Sequence, residues 1–344
     1  MIPRSWAMDT DVHNLLANIW FFIIGLMLFL YVFLDGFDLG VGILSLFTRD
    51  DNHRSIMMKS LESIWDANET WLVLLGGALF GAFPLVYAIA LQALYIPVMV
   101  MLFALIFRGV AFEFSHHARN TAPWNLAFGC SSLLAGLAQG IAFGGLIGGL
   151  GITEGNYQGN VWGWFTPFSA LVALGVVSGY SLLGATYLMI KTEGAIQRIS
   201  IAQAYVAAVL EIVILMTAVI WASQLNPYFA ARWDNRVTGY YLDFFLALAV
   251  VAFIMLMRAL RMKFELRAFF WSVIISLASL TAVTIGYYPY MIPASISLTH
   301  AASSSRTLIF MLSTIGFLIP VMLIYSGYQY LVFRGKVQMD EHTD

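Results

Sequence analysis

Long apolar runs are the feature that most constrains the fold of this 344-residue chain. A helix needs roughly 20 mostly apolar residues to cross the hydrocarbon core of a membrane. Strands of a membrane β-barrel would alternate apolar and polar residues, and these runs do not. Nine runs are long enough: 15–46, 70–90, 91–112, 124–150, 164–190, 201–223, 240–257, 268–288 and 308–333. The sequence therefore predicts an all-α polytopic membrane protein with about nine transmembrane helices in a single transmembrane domain, 1–344.

Composition agrees with a chain that lies in lipid. Hydrophobic residues make up 60% and charged residues 10% of the sequence, whereas soluble domains carry about 25% charge. The net charge of −2 gives no basic stripe for nucleic acid. The single cysteine, Cys130, allows no internal disulfide. The polar start, Met1 to Asn14, does not resemble a cleavable signal.

The join between the second and third runs contains almost nothing polar. Pro84 and Pro97 lie on either side of it, and proline interrupts helices. These residues predict a tight hairpin near positions 90 and 91. The seventh run is the shortest and lies between Asp243 and Arg258.

Basic residues predict the orientation, because cytoplasmic loops are enriched in Lys and Arg. With the N-terminus outside, all but four of the 17 Lys and Arg residues fall on the inner side. The outer four are Arg4, Arg232, Arg236 and Arg306. We therefore expect the N-terminus outside and the C-terminus inside, which requires an odd number of crossings.

Two pairs of carboxyl groups lie within the predicted inner half of the membrane. Asp35 and Asp38 are three residues apart near the end of the first run, and Asp66 and Glu69 are three apart at the start of the second. This spacing places each pair on one helical face. A charge in lipid costs several kcal/mol, so such residues usually face protein or water. The functional interpretation is a water-lined proton path, because buried carboxyl groups can bind and release protons near neutral pH.

A structural interpretation competes with this one. Arg108 and Glu113 end the third run on the same side. Arg108 would then hold the first three helices together by pairing with Asp38, Asp66 or Glu113. Asp66 could instead cap the start of the second helix, a position that favours Asp. Spacing alone does not separate these alternatives.

Glu211 is a lone carboxyl group near the middle of the sixth run. Its expected partner is Gln139, a tyrosine or a neighbouring subunit. A role in proton transfer is the alternative interpretation.

The histidines argue against a haem bound by this chain. A transmembrane haem takes its axial imidazole from the middle of a helix, and a methionine in an apolar helix is usually packing. The six histidines fall in loops, at helix ends or in tails: His13, His53, His116, His117, His300 and His342. No His and carboxylate group has the spacing of a metal site. We expect no haem ligated by this chain and no metal site.

Five segments together resemble subunit II of the cytochrome bd family of terminal quinol oxidases. The Trp-Asp-x-Asn-Glu block followed by Gly-Gly-Ala is the most specific of them. The segments run in the family's order: 34–42 (LDGFDLGVG), 65–79 (WDANETWLVLLGGAL), 107–114 (FRGVAFEF), 184–194 (GATYLMIKTEG) and 288–295 (YPYMIPAS).

The modest length and short loops are similar to the cyanide-insensitive branch of that family. The chain departs from many relatives after Phe114, where it has Ser115-His116-His117 in place of a basic residue.

The resemblance implies a nine-helix subunit with two four-helix bundles and one peripheral helix. It implies pairing with subunit I, which would hold two b-type haems and haem d, and with small single-helix accessory subunits. The complex would oxidise quinol, reduce oxygen to water and generate proton-motive force in the cytoplasmic (inner) membrane of a bacterium. The N-terminus would then be periplasmic.

The resemblance also implies roles for individual residues. Asp38 and Asp66 would line or gate a proton path from the cytoplasm, with Asp35 and Glu69 beside them. Trp65 would lie at the interface with subunit I. The family also allows a quinone or lipid bound in a cleft of this subunit.

Two other classes of protein compete with this assignment. A proton-coupled secondary transporter would use broken helices, and the glycine-containing turn 35–40 is its best local support. Its substrate site would lie at the midplane, whereas the acidic clusters lie on one side. A purely structural scaffold, with the carboxylates in ion pairs, is the third interpretation.

Overall fold

The computed structural model describes residues 4–115, 117–153 and 156–337. These residues form thirteen helices and two small antiparallel hairpins. The helices are α1 (Arg4–Ser45), α2 (Asp51–Lys59), α3 (Trp65–Ala82), α4 (Pro84–Ala93), α5 (Tyr95–Ser115), α6 (Ala122–Gly148), α7 (Pro167–Lys191), α8 (Gly194–Leu225), α9 (Pro227–Asp234), α10 (Arg236–Arg261), α11 (Glu265–Tyr287), α12 (Leu298–Ala301) and α13 (Ser305–Val332). The strand pairs are β1 (Ile152–Thr153) with β2 (Asn156–Tyr157), and β3 (Tyr290–Ile292) with β4 (Ile296–Ser297).

Eight helices of the described chain are long and apolar enough to cross a membrane: α1, α5, α6, α7, α8, α10, α11 and α13. The bent pair α3 and α4 provides a ninth crossing if it counts as one span. The seventh predicted run, the shortest in sequence, belongs to α10 and its 26 residues. The predicted all-α polytopic fold is confirmed.

The predicted hairpin at positions 90 and 91 is wrong. The chain bends by 118° between α3 and α4, at Phe83. The following Pro84 has no N–H and disfavours helical geometry in the residue before it, and Phe83 accordingly has φ −133° and ψ 62°. The connection to α5 is therefore the ten-residue helix α4. Pro97 lies in the first turn of α5, where a missing N–H breaks no helical bond.

The turn 35–40 does not interrupt α1, which contradicts the best local support for a transporter. The helix runs unbroken from Arg4 to Ser45. Glycine here serves close packing, because a Cβ atom at Gly40 would lie 1.8 Å from the carbonyl oxygen of Tyr180 on α7. Small residues let helix backbones touch in this way.

The helices pack in two groups of four, with α13 at the periphery. The first group is α1, α3, α5 and α6, and the second is α7, α8, α10 and α11. Contacts between α1 and α7, α6 and α7, and α1 and α11 join the groups, while α13 packs on α3 and α1. This agrees with the expected two bundles and one peripheral helix.

The start of α1 and the segment that follows α13 lie at opposite ends of the helix assembly. Near the start of α1, the imidazole of His13 lies 3.3 Å from both the Thr299 carbonyl oxygen and the Ser305 hydroxyl. At the other end, Lys336 Nζ lies 3.0 Å from Glu265 Oε1, and Lys191 Nζ donates to the Phe333 carbonyl. An odd number of crossings requires this arrangement. Which end faces the cytoplasm stays a prediction.

Candidate functional site

An ionic cluster joins α1, α3 and α5. Arg108 Nη2 lies 2.6 Å from Asp35 Oδ1 and 3.2 Å from Glu69 Oε2. Arg108 and Asp35 are fully buried, whereas the side chain of Glu69 is 26% exposed. Arg108 therefore does bring three helices together, but its ion-pair partners are not the expected Asp38, Asp66 or Glu113.

Asp38 lies one helical turn beyond Asp35 and is also buried. Its Oδ2 accepts a hydrogen bond from Asn68 Nδ2 at 2.8 Å, and Asn68 Oδ1 accepts one from the Tyr330 hydroxyl at 2.7 Å. Asp38 Oδ1 has no hydrogen-bond partner within the described ranges. Sequence reasoning missed both neighbours. Asn68 stood visibly between two acids in an otherwise apolar block, but nothing in the sequence pointed to Tyr330.

Trp65, Asp66 and Glu113 lie at the outer surface of the same region. Trp65 begins α3 and stacks on Phe112 with ring centroids 5.0 Å apart. Asp66 and Glu113 are exposed. Asp66 is not the helix cap, because Ile64 occupies that position and Asp66 lies within the first turn. A carboxylate there interacts favourably with the helix dipole.

An apolar cavity of about 340 Å³ lies between the two helix groups, and Glu211 is among its lining residues. Gln139, one of the three expected partners of Glu211, instead donates to the Tyr31 hydroxyl and accepts from the Tyr180 hydroxyl, both at 2.6 Å. Both polar groups of the amide are thus occupied. Glu211 is buried, and its Oε2 has no hydrogen-bond partner among the residues that the structure describes.

The described histidines lie in loops, in short helices or near the start of α1. His13 lies near the start of α1, His53 in the short helix α2, His117 in a loop and His300 in α12. His116 and His342 lie outside the described residues. Within the described part, no group of three or more His, Cys, Asp or Glu side chains could hold a metal ion. Haem ligation by a partner subunit stays an expectation.

The fold and the site define a class: a polytopic helical membrane subunit with a buried cluster of carboxylates around one arginine. Residues 16–333 match the family described as cytochrome bd terminal oxidase subunit II, and the chain belongs to that family. It is therefore one subunit of a membrane-bound terminal oxidase, an oxidoreductase, and membership implies a subunit I partner.

Named relatives agree with this assignment. The chain is 30% identical to cytochrome bd-I ubiquinol oxidase subunit 2 of Escherichia coli K12, over 96% of this chain and 97% of the relative. It is 32% identical to cytochrome bd ubiquinol oxidase subunit 2 of Bacillus subtilis, over 53% of this chain and 55% of that relative. A solved chain from the bd oxidase of Geobacillus thermodenitrificans has the same fold, with a TM-score of 0.74 and 19% identity over 92% of this chain and 98% of that chain.

Proposed function

We propose that this chain is the haem-free subunit II of a bacterial complex that oxidises quinol and reduces oxygen to water. Its place is the inner membrane, with the N-terminus periplasmic and the C-terminus cytoplasmic. It pairs with the haem-bearing subunit I and with small single-helix accessory subunits. Its own contribution is a proton path that starts on the cytoplasmic side.

The observation that carries the proposal is the graded burial of the carboxyl groups. Asp66 is exposed, Glu69 is partly exposed, and Asp35 and Asp38 are buried. Arg108 contacts both Glu69 and Asp35, so it links the partly exposed acid to a buried one. Protons taken up from the cytoplasm would each couple about 2.3 kcal/mol per 100 mV if they cross the whole membrane.

The exposed acids support a protein partner at this surface. Asp66 and Glu113 lie beside the stacked pair of Trp65 and Phe112. A carboxylate that faces lipid is costly, whereas one that faces a partner or enclosed water is not. Subunit I is the proposed partner, with Trp65 at the interface.

The cavity beside Glu211 supports the second family expectation, a bound quinone or lipid tail. Its lining is almost wholly apolar, with a small polar group formed by Tyr31, Gln139 and Tyr180 on one wall. Ligand sites typically combine apolar walls with a few polar groups in this way.

Oxygen consumption by the purified complex tests the proton path. In Asp66→Asn and Asp38→Asn variants we expect turnover and proton uptake to fall about tenfold or more, because neither amide can carry a proton. The matched control is Asp11→Asn, an exposed acid near the other end of α1. Haem content is followed by the redox difference spectrum, which should contain b and d bands in every variant.

Two results would contradict the proposal. Unchanged turnover and proton uptake in both variants would support a structural scaffold. A preparation without haem bands and without a second large subunit would instead favour the transporter.

A further inference from the structure

Asn68 is held by three hydrogen bonds at the centre of the membrane-embedded site. Its Nδ2 donates to Asp38 Oδ2 at 2.8 Å and lies 3.3 Å from the Leu34 carbonyl oxygen. Its Oδ1 accepts from the Tyr330 hydroxyl at 2.7 Å. Tyr330 belongs to α13, 262 residues away in sequence. Three helices therefore meet at one amide group.

These contacts fix which way the amide points. The Leu34 carbonyl oxygen and Asp38 Oδ2 both face Asn68 Nδ2, and both are hydrogen-bond acceptors. A flipped amide would place an oxygen against two acceptors and leave both bonds unmade. In the orientation that these two acceptors select, Asn68 Oδ1 faces the opposite side and accepts from the Tyr330 hydroxyl. Tyr330 thus acts on Asp38 through Asn68.

We propose that Asn68 and Tyr330 form a positioning pair that orients the carboxyl group of Asp38, favours its ionised form through the hydrogen bond, and so helps to set the pH range in which this group takes up a proton. A hydrogen bond donated to a carboxylate favours the charged form. The role in turnover rests on the proposed proton path, whereas the effect on Asp38 itself does not.

The other groups around Asp38 do not replace this bond. Arg108 attracts the carboxylate, but its Nη2 already serves Asp35 and Glu69. Asp35 and Glu69 repel a second negative charge nearby. Asn68 is the side-chain hydrogen-bond donor to Asp38 within the described chain. The titratable and charged groups that face Asp38 are Asp35 on α1, Glu69 on α3, Arg108 on α5, Tyr187 on α7 and Tyr330 on α13.

Infrared titration of the intact, haem-loaded complex tests the pair. The Asp38 carboxyl band is identified by its loss in Asp38→Asn. In Asn68→Leu we expect the midpoint of this titration to move upward by about one pH unit or more, because the bond to the ionised group is lost. Tyr330→Phe, which removes a single oxygen, should move it in the same direction by less.

Tyr328→Phe is the matched control, since it removes the same hydroxyl from an exposed position two residues away on α13. Its midpoint should equal that of the unmodified complex. The pH profile of oxygen consumption is recorded in parallel and should shift with the infrared midpoint.

The outcomes separate the two proposals. An unchanged Asp38 midpoint in Tyr330→Phe overturns the positioning pair, and this conservative variant decides the case even where Asn68→Leu does not assemble. A shifted midpoint with an unchanged pH profile supports the pair and overturns the proton path through Asp38.

Discussion

Arg108 is the residue on which the buried site depends. Three carboxyl groups, Asp35, Asp38 and Glu69, surround this one guanidinium. If all three carboxyl groups were ionised, the cluster would carry three negative charges and one positive charge inside the membrane. This excess is unfavourable unless protons are bound. Arg108 Nε and Nη1 have no hydrogen-bond acceptor within the described ranges. This imbalance of charge is one reason to propose that the cluster exchanges protons.

Replacing Arg108 should be among the most damaging single changes in the chain. Arg108→Gln leaves Asp35 and Glu69 without the cation that both contact. Removing one partner of a buried ion pair costs about 3–5 kcal/mol of stability. We expect a large loss of assembled, haem-loaded complex, measured from purified yield and thermal stability in detergent. Adding Asp35→Asn should recover part of the yield, because it removes one unpaired charge.

The control for this prediction is Arg119→Gln in an exposed loop, which should leave the yield unchanged. An Arg108→Gln complex with normal yield and stability would show that the ion pairs contribute little to the fold.

The close crossing of α1 and α7 is the element that positions these residues. A Cβ atom at Gly40 would lie 1.8 Å from the Tyr180 carbonyl oxygen, and one at Gly184 would lie 2.5 Å from the Gly40 carbonyl carbon. The two backbones are therefore in direct contact. The crossing lies just beyond Asp38, so it sets the depth and rotation of the acidic turn.

A single methyl group should disturb this crossing. Gly40→Ala must push α7 away from α1, and overpacking of this kind costs about 1–3 kcal/mol. We expect a lower melting temperature and a several-fold loss of turnover. Gly25→Ala is the matched control on the same helix, because no atom lies within 4 Å of its added Cβ. Equal stability of the two variants would contradict the account.

At the scale of the whole molecule, helix ends meet in two separate layers. One layer joins the turn between α2 and α3 to the ends of α7 and α13. The Tyr187 hydroxyl donates to the Ser60 carbonyl at 2.8 Å, and Gln329 Nε2 donates to the Ser63 carbonyl at 2.5 Å. This is the layer that the basic residues assign to the cytoplasm. The start of α1 belongs to the other layer, where His13 lies beside Ser305.

Reporter fusions test this orientation. A reporter after Asp344, which lies outside the described residues, should be active in the cytoplasm. One inserted at Asn235, between α9 and α10, should be active in the periplasm. If both reporters were active on the same side of the membrane, the odd number of crossings would be contradicted. If the reporter after Asp344 were periplasmic and the one at Asn235 cytoplasmic, the N-terminus would lie inside and the predicted topology would be wrong.

The sequence by itself determined the class of protein, the approximate number of crossings and the set of charges buried with them. These properties follow from the cost of placing polar groups in lipid, which acts on each run of residues separately. The bend at Phe83 is also a local effect, because it follows from Pro84. The sequence predicted a hairpin between Pro84 and Pro97, near positions 90 and 91, whereas the chain bends directly before Pro84.

Only the tertiary structure decided which of these charges meet. Spacing placed Asp35 with Asp38 and Asp66 with Glu69 on shared helical faces. It does not determine which residues of other helices each face contacts. Helix rotation and depth, set by contacts such as that between Gly40 and α7, buried the first pair and left Asp66 at the surface. The bond from Tyr330 to Asn68 spans 262 residues, so no local pattern could predict it.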